Sequence, residues 1–127
     1  MQEKDLFEYA VIRVVPRVER EEFINVGVIL YCPRQKFLQA LFHVDERRLH
    51  TFCAEADPDE IRIHLEAIER ICKGTKEAGP IGLLDMPSRF RWLTAMRSTV
   101  VQTSRVHPGF SSNAEETLQR LYREQVL

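Results

Sequence analysis

Residues 23–32 read FINVGVILYC. Alternation places Ile24, Val26, Val28 and Leu30 on one face and Asn25, Gly27, Ile29 and Tyr31 on the other, which is the period of a β-strand. Gly27, a lone glycine inside that strand, marks a bulge or a close backbone approach rather than a phosphate loop. Downstream, Pro33-Arg34-Gln35-Lys36 reads as a hairpin loop into 37–44 (FLQALFHV), where Leu38, Ala40, Phe42 and Val44 share a face. Upstream, 7–15 (FEYAVIRVV) sets Phe7, Tyr9, Val11 and Val15 against Ala10, Ile12 and Val14. Both faces are apolar, so this strand is expected in the sheet interior. Pro16 limits its pairing, and the charged run 17–22 (RVEREE) connects it onward. Three strands with short connections predict an antiparallel meander.

The remainder is mostly helical in pattern. Asp57-Pro58-Asp59-Glu60 combines an N-cap, a first-turn proline and early acids, and Gly74 supplies the stop. Between them Ile61, Leu65, Ile68 and Cys72 recur at helical spacing. Pro87–Leu93 is expected to form a short helix, and 98–106 (STVVQTSRV) a fourth strand broken by Pro108-Gly109. A final helix after Ser112-Asn113 carries Leu118, Leu121 and Tyr122 on one face. The expected fold is α+β: a mainly antiparallel sheet of about four strands, with an N-terminal meander and helices packed on one face. Residues 1–127 form a single domain in this reading, since 127 residues is one core's worth.

Composition narrows the function classes. The chain has 18 basic and 19 acidic residues, and the net charge of −1 argues against a protein that is basic over its whole surface. Arginine accounts for 14 of the basic residues and lysine for 4. Three cysteines without a CxxC pair predict free thiols, no disulfide framework and a cytoplasmic location. The N-terminus shows no signal-peptide pattern, and the longest apolar run is far short of a membrane span. Residues 80–112 are the local anomaly, with four arginines (Arg89, Arg91, Arg97, Arg105) against one acid. An arginine fork beside hydroxyls, as in Arg97-Ser98-Thr99, suits a carboxylate or phosphate. Arginine pairing with a structural carboxylate is the competing explanation.

Other chemistries have weaker support. His43, His50 and Cys53 lack an evident fourth ligand for zinc, so no metal is expected. Ser98 with His107 lacks a nameable orienting carboxylate. His64, on the apolar side of its helix, reads as a core-edge histidine. No P-loop or dinucleotide-binding glycine fingerprint is found, and no cofactor is expected.

Two separated signatures carry a family resemblance. Tyr9-Ala10-Val11-Ile12-Arg13 and Glu22-Phe23-Ile24-Asn25-Val26-Gly27-Val28 form the first. Phe90-Arg91-Trp92-Leu93-Thr94, Arg97-Ser98-Thr99-Val100-Val101-Gln102, His107 and Gly109 form the second. Together they resemble a bacterial family known only as domain of unknown function 3037, with Met96 standing where proline is expected. The resemblance implies no activity and suggests a HipA-like kinase as partner. If the last strand lies beside the first two, Arg13, Asn25, Arg97, Ser98, Thr99, Gln102 and His107 become the candidate ligand-binding residues of one sheet face. The leading expectation is a small interaction or regulatory module with a protein partner, with the question of catalysis left open by the Arg/Ser/Thr/His cluster. A small-ligand or phosphate site is the alternative, and nucleic-acid binding through 80–112 is the second, disfavoured by the net charge.

Overall fold

The computed structural model describes residues 3–16, 22–95 and 99–127. Its elements are strands β1 (Asp5–Val14), β2 (Ile24–Cys32) and β3 (Phe37–Phe42), helices α1 (Glu46–Phe52), α2 (Pro58–Lys73) and α3 (Met86–Leu93), strands β4 (Val101–Thr103) and β5 (His107–Ser111), and helix α4 (Ala114–Gln125). Two short 3-10 turns, Lys76–Ala78 and Pro80–Leu83, join α2 to α3. The class is the α+β antiparallel sheet expected, with the meander β1-β2-β3 at its heart.

The sheet runs β3-β2-β1-β4, and β5 also pairs with β1. β1, ten residues long, offers its C-terminal half to β4 and its N-terminal half to β5. Of the expected strand 98–106 only Val101–Thr103 forms β4, and a fifth strand that was not expected, β5, follows it in line along β1. Ser104 fills the break: its amide donates to the Val11 carbonyl at 2.8 Å and its hydroxyl accepts from the Val11 amide at 2.9 Å. A side-chain oxygen thus replaces one rung of the ladder, and no buried donor is left unpaired there. Pro108 and Gly109 do not end pairing but sit inside β5. An edge strand tolerates proline, because one of its sides has no ladder to supply. At Gly109 any Cβ would overlap the Phe7 ring opposite, so glycine gives that ring its seat.

β2 is bulged. Ile12 stands opposite Gly27 and Arg13 opposite Asn25, which leaves Val26 as the extra residue. The bulge breaks the simple alternation read along 23–32. Ile24 and Val26 join Ile29 and Tyr31 in one core, whereas Val28, Leu30 and Cys32 join the other. Both sheet faces are covered. Ala10, Ile12 and Val14 pack with Leu49, Ile61, Leu65, Phe90 and Leu93 from α1, α2 and α3. On the opposite face Phe7 joins Val28, Leu30 and Cys32 against Ala114, Leu118 and Leu121 of α4. Helices on one face alone is thus corrected: α4 crosses to the second face, because the meander strands are apolar on both sides and each side must be buried.

The helix ends follow the expected chemistry. The Asp57 carboxylate accepts from the Asp59 and Glu60 amides, and Gly74 closes α2 in the left-handed region with φ 70°. Asp45 caps α1, a helix that the sequence pattern did not suggest. Asp85 caps α3, and hydrogen bonds from Ser88 hold its carboxyl below the usual carboxylate range. Asn113 caps α4 by accepting from the Glu116 amide at 3.1 Å. Asn113→Ala is expected to lower stability by about 1 kcal/mol, measured by urea unfolding, because one orphan amide of the helix loses its acceptor.

Candidate functional site

The bulge in β2 positions the site. It turns Asn25 onto the same sheet face as its cross-strand neighbour Arg13, and Gln102 of β4 flanks Arg13 from the other side. The row Asn25-Arg13-Gln102 therefore crosses three strands. α4 ends over this row, where the Asn25 Nδ2 donates to the Gln125 carbonyl at 3.1 Å. That bond also determines the orientation of the amide: Oδ1 points the other way.

Arg13 is half-buried, and its guanidinium carbon lies 4.0 Å from the centre of the Phe23 ring. Its Nε is buried without a hydrogen-bond partner, and so is the Oδ1 of Asn25. A buried polar atom left unpaired costs about 1–3 kcal/mol. Two such atoms, one donor and one acceptor, stand on neighbouring strands of one face. No hydrogen bond or ion pair to the Arg13 guanidinium is found among the described residues. Arginine usually brings buried donors into use, so a half-buried fork held only by an aromatic ring is poised for an external acceptor.

The other expected site residues divide. Thr99 donates its hydroxyl to the Val101 carbonyl at 2.7 Å, and the Gln102 amide nitrogen donates to the Thr99 carbonyl at 2.7 Å. Both are engaged in shaping the turn into β4. His107 pairs with Tyr9 in β5, and the two rings are 5.3 Å apart. It shares the face of Arg13 but lies four residues along β1, about 13 Å away. Arg97 and Ser98 lie outside the described residues.

The arginines of 80–112 do not act together. Arg89 is buried and donates to the carbonyls of Leu84, Ile71 and Cys72 at 3.0, 2.8 and 2.7 Å. It is a structural group that binds carbonyls, not the carboxylate expected of a structural arginine. Arg91 and Arg105 are exposed. His64, expected at the core edge, is also exposed and borders a small cavity with Cys53. Burial pushes the Cys72 thiol up to about 12, so no thiolate forms there near neutral pH. No group of three or more metal-ligating side chains is found among the described residues.

Phe23 was not among the residues singled out for the site. It precedes Asn25 by two positions in a strand-like run, so the period-two rule alone places it on the same face. A family model described as "Protein of unknown function (DUF3037)" matches residues 9–126. The chain belongs to the DUF3037 family. Arg13, Phe23, Asn25 and Gln102 all fall inside the span that defines this DUF3037 member. No curated protein and no solved structure matches it. None of its described helices is long and apolar enough to cross a membrane.

Proposed function

We propose that this DUF3037 domain is a recognition module that holds a carboxylate- or phosphate-bearing group of a protein partner at Arg13. The supporting observation is the unpaired, half-buried guanidinium stacked on Phe23, beside an equally unpaired Asn25 oxygen. The fork supplies paired donors to the anion, and Phe23 keeps the plane of the fork in register. The reading is of binding rather than catalysis. The groups paired or stacked with Arg13 are the Asn25 and Gln102 amides and the Phe23 ring, and His107 is too far along the strand to exchange a proton there.

A HipA-like kinase is the partner to test first, through co-expression and co-elution. Wild-type protein is expected to co-elute, and Arg13→Met to bind at least tenfold more weakly. The same variant is expected to keep its stability within about 1 kcal/mol. Loss of the ring contact offsets relief of the unpartnered Nε. Inorganic phosphate and acetate, titrated while the Arg13 side-chain N–H resonance is followed, separate the two anion classes. Equal partner binding by Arg13→Met, or an Arg13 resonance insensitive to both anions, overturns the reading.

A further inference from the structure

β5 ends one side of the sheet, and its outer edge is open. The Val11 amide and carbonyl both reach Ser104, so Val11 turns its main-chain groups towards the β4–β5 side. Such groups alternate along a strand, and Tyr9, Phe7 and Asp5 therefore turn the same way. Their partners His107, Gly109 and Ser111 face back towards β1. Pro108 and Phe110 consequently point their main-chain groups outwards, where no hydrogen bond meets them among the described residues. The side chains on this edge are apolar and exposed: Phe110 at 68%, Leu6 directly opposite it at 47%, and Pro108 beside them. An open edge with an apolar flank is a template for a further strand, and proteins that avoid such pairing cover or charge the edge. Residues 107–112 (HPGFSS) contain no acid, lysine or arginine.

The opposite edge differs. By the same count Val28 and Leu30 face β3, so Leu38 and Ala40 carry the outward groups of β3, and both residues are buried, at 8% and 4%. With one edge covered and the other free, pairing through β5 ends at two chains. We infer that β5 pairs antiparallel with β5 of a second copy of this chain, across a two-fold axis at Phe110, joining the two five-stranded sheets into one. The edge is self-complementary about that axis. The Phe110 N–H of each copy meets the Phe110 carbonyl of the other, and the Pro108 carbonyl meets the Ser112 amide. Pro108 has no N–H to return to the Ser112 carbonyl, so the ladder stops there and its register is fixed. The two Phe110 rings lie side by side with a Leu6 outside each, four apolar side chains in a row at strand spacings of about 4.8 Å. No like charges oppose each other, because 107–112 is neutral. A second copy is the occupant that one patch satisfies by itself, since a two-fold contact uses the same surface twice. This edge lies at the opposite end of β1 from Arg13 and stands whether or not Arg13 binds a partner.

Sedimentation velocity of the full chain over a concentration series tests the pairing. The wild-type chain is expected to pass from monomer to dimer with a midpoint on the order of 100 µM, in keeping with a small interface. Phe110→Asp, at an exposed position that the core does not use, removes the rings and sets two carboxylates together on the axis. It is expected to weaken the dimer at least about tenfold. Ile63→Asp changes a similarly exposed apolar residue of α2, at 64%, and is expected to leave the midpoint at the wild-type value. Amide hydrogen exchange reads the main chain itself: the Phe110 amide is expected to slow several-fold above the midpoint, while the Gly109 amide, which faces β1, keeps its rate. A chain that stays monomeric throughout the series overturns the proposal. Equal weakening by Ile63→Asp and Phe110→Asp, or a dimer in which the Phe110 amide exchanges as in the monomer, overturns pairing through β5.

Discussion

Replacing Arg89 with methionine is expected to destabilise the protein by about 3–5 kcal/mol, read as a lower urea midpoint with an unchanged slope. The side chain is buried, and one guanidinium ties two helices together. Nη1 donates to the Ile71 and Cys72 carbonyls at the end of α2, and Nε donates to the Leu84 carbonyl just ahead of α3. The last carbonyls of a helix have no partners within it, and a cation there also meets the negative end of the helix dipole. Methionine keeps the length and the apolar stem but leaves three carbonyls without those donors. Gly74 shows how closely the fork is fitted, since a Cβ there would lie 2.8 Å from Nη1 and 2.9 Å from Cζ. Arg89→Lys is expected to recover less than half of the loss, because one ammonium cannot reproduce a planar fork aimed at separate acceptors. A change of under 1 kcal/mol for Arg89→Met would refute this role.

Gly27→Val is expected to cost about 3 kcal/mol or more and to disturb the Arg13 row with it. The backbone at Gly27 is not in the left-handed region, so the requirement is space rather than conformation. A Cβ would stand 2.6 Å from the Leu41 carbonyl oxygen, 2.9 Å from the Phe42 Cβ and 3.2 Å from the end of Ile12. Two of the three obstacles belong to β3's main chain or lie next to it, so β3 has to move away from β2. Overpacking a close-fitted site costs about 1–3 kcal/mol, and lost β2–β3 pairing adds to that. Because Gly27 adjoins the extra residue Val26, the shift also reaches Asn25. Urea unfolding measures the first effect, and chemical-shift changes at Arg13 and Asn25 measure the second. A Gly27→Ala protein as stable as wild type would remove the close-approach argument.

Much of the fold was legible in local pattern. Strands alternate, and the caps Asp57 and Asn113 with the stop at Gly74 announce their helices within three or four residues. The site was legible only in part. The resemblance to two distant signatures suggested that Arg13, Asn25 and Gln102 converge, and β4 pairing with β1 brings them into one row. The same reasoning grouped Thr99 and His107 with them, although a turn engages one and a ring contact the other. Arg89 was indistinguishable by sequence from its exposed neighbour Arg91. Both sit in one short helix, and only burial against the end of α2 separates them.

By itself, the sequence determined what depends on neighbours a few residues apart: the meander, the helices α2, α3 and α4 and the α+β class, though not α1. Tertiary structure alone decided three things. A one-residue bulge reverses which core Val28 and Leu30 enter, because the side-chain period is two and a single extra residue inverts it. α4 lies on the second face, because burying apolar surface depends on which face remains open once the other helices have packed. Among the described residues Arg13 has no acceptor, because hydrogen-bond satisfaction is a property of whatever the completed fold brings within about 3 Å.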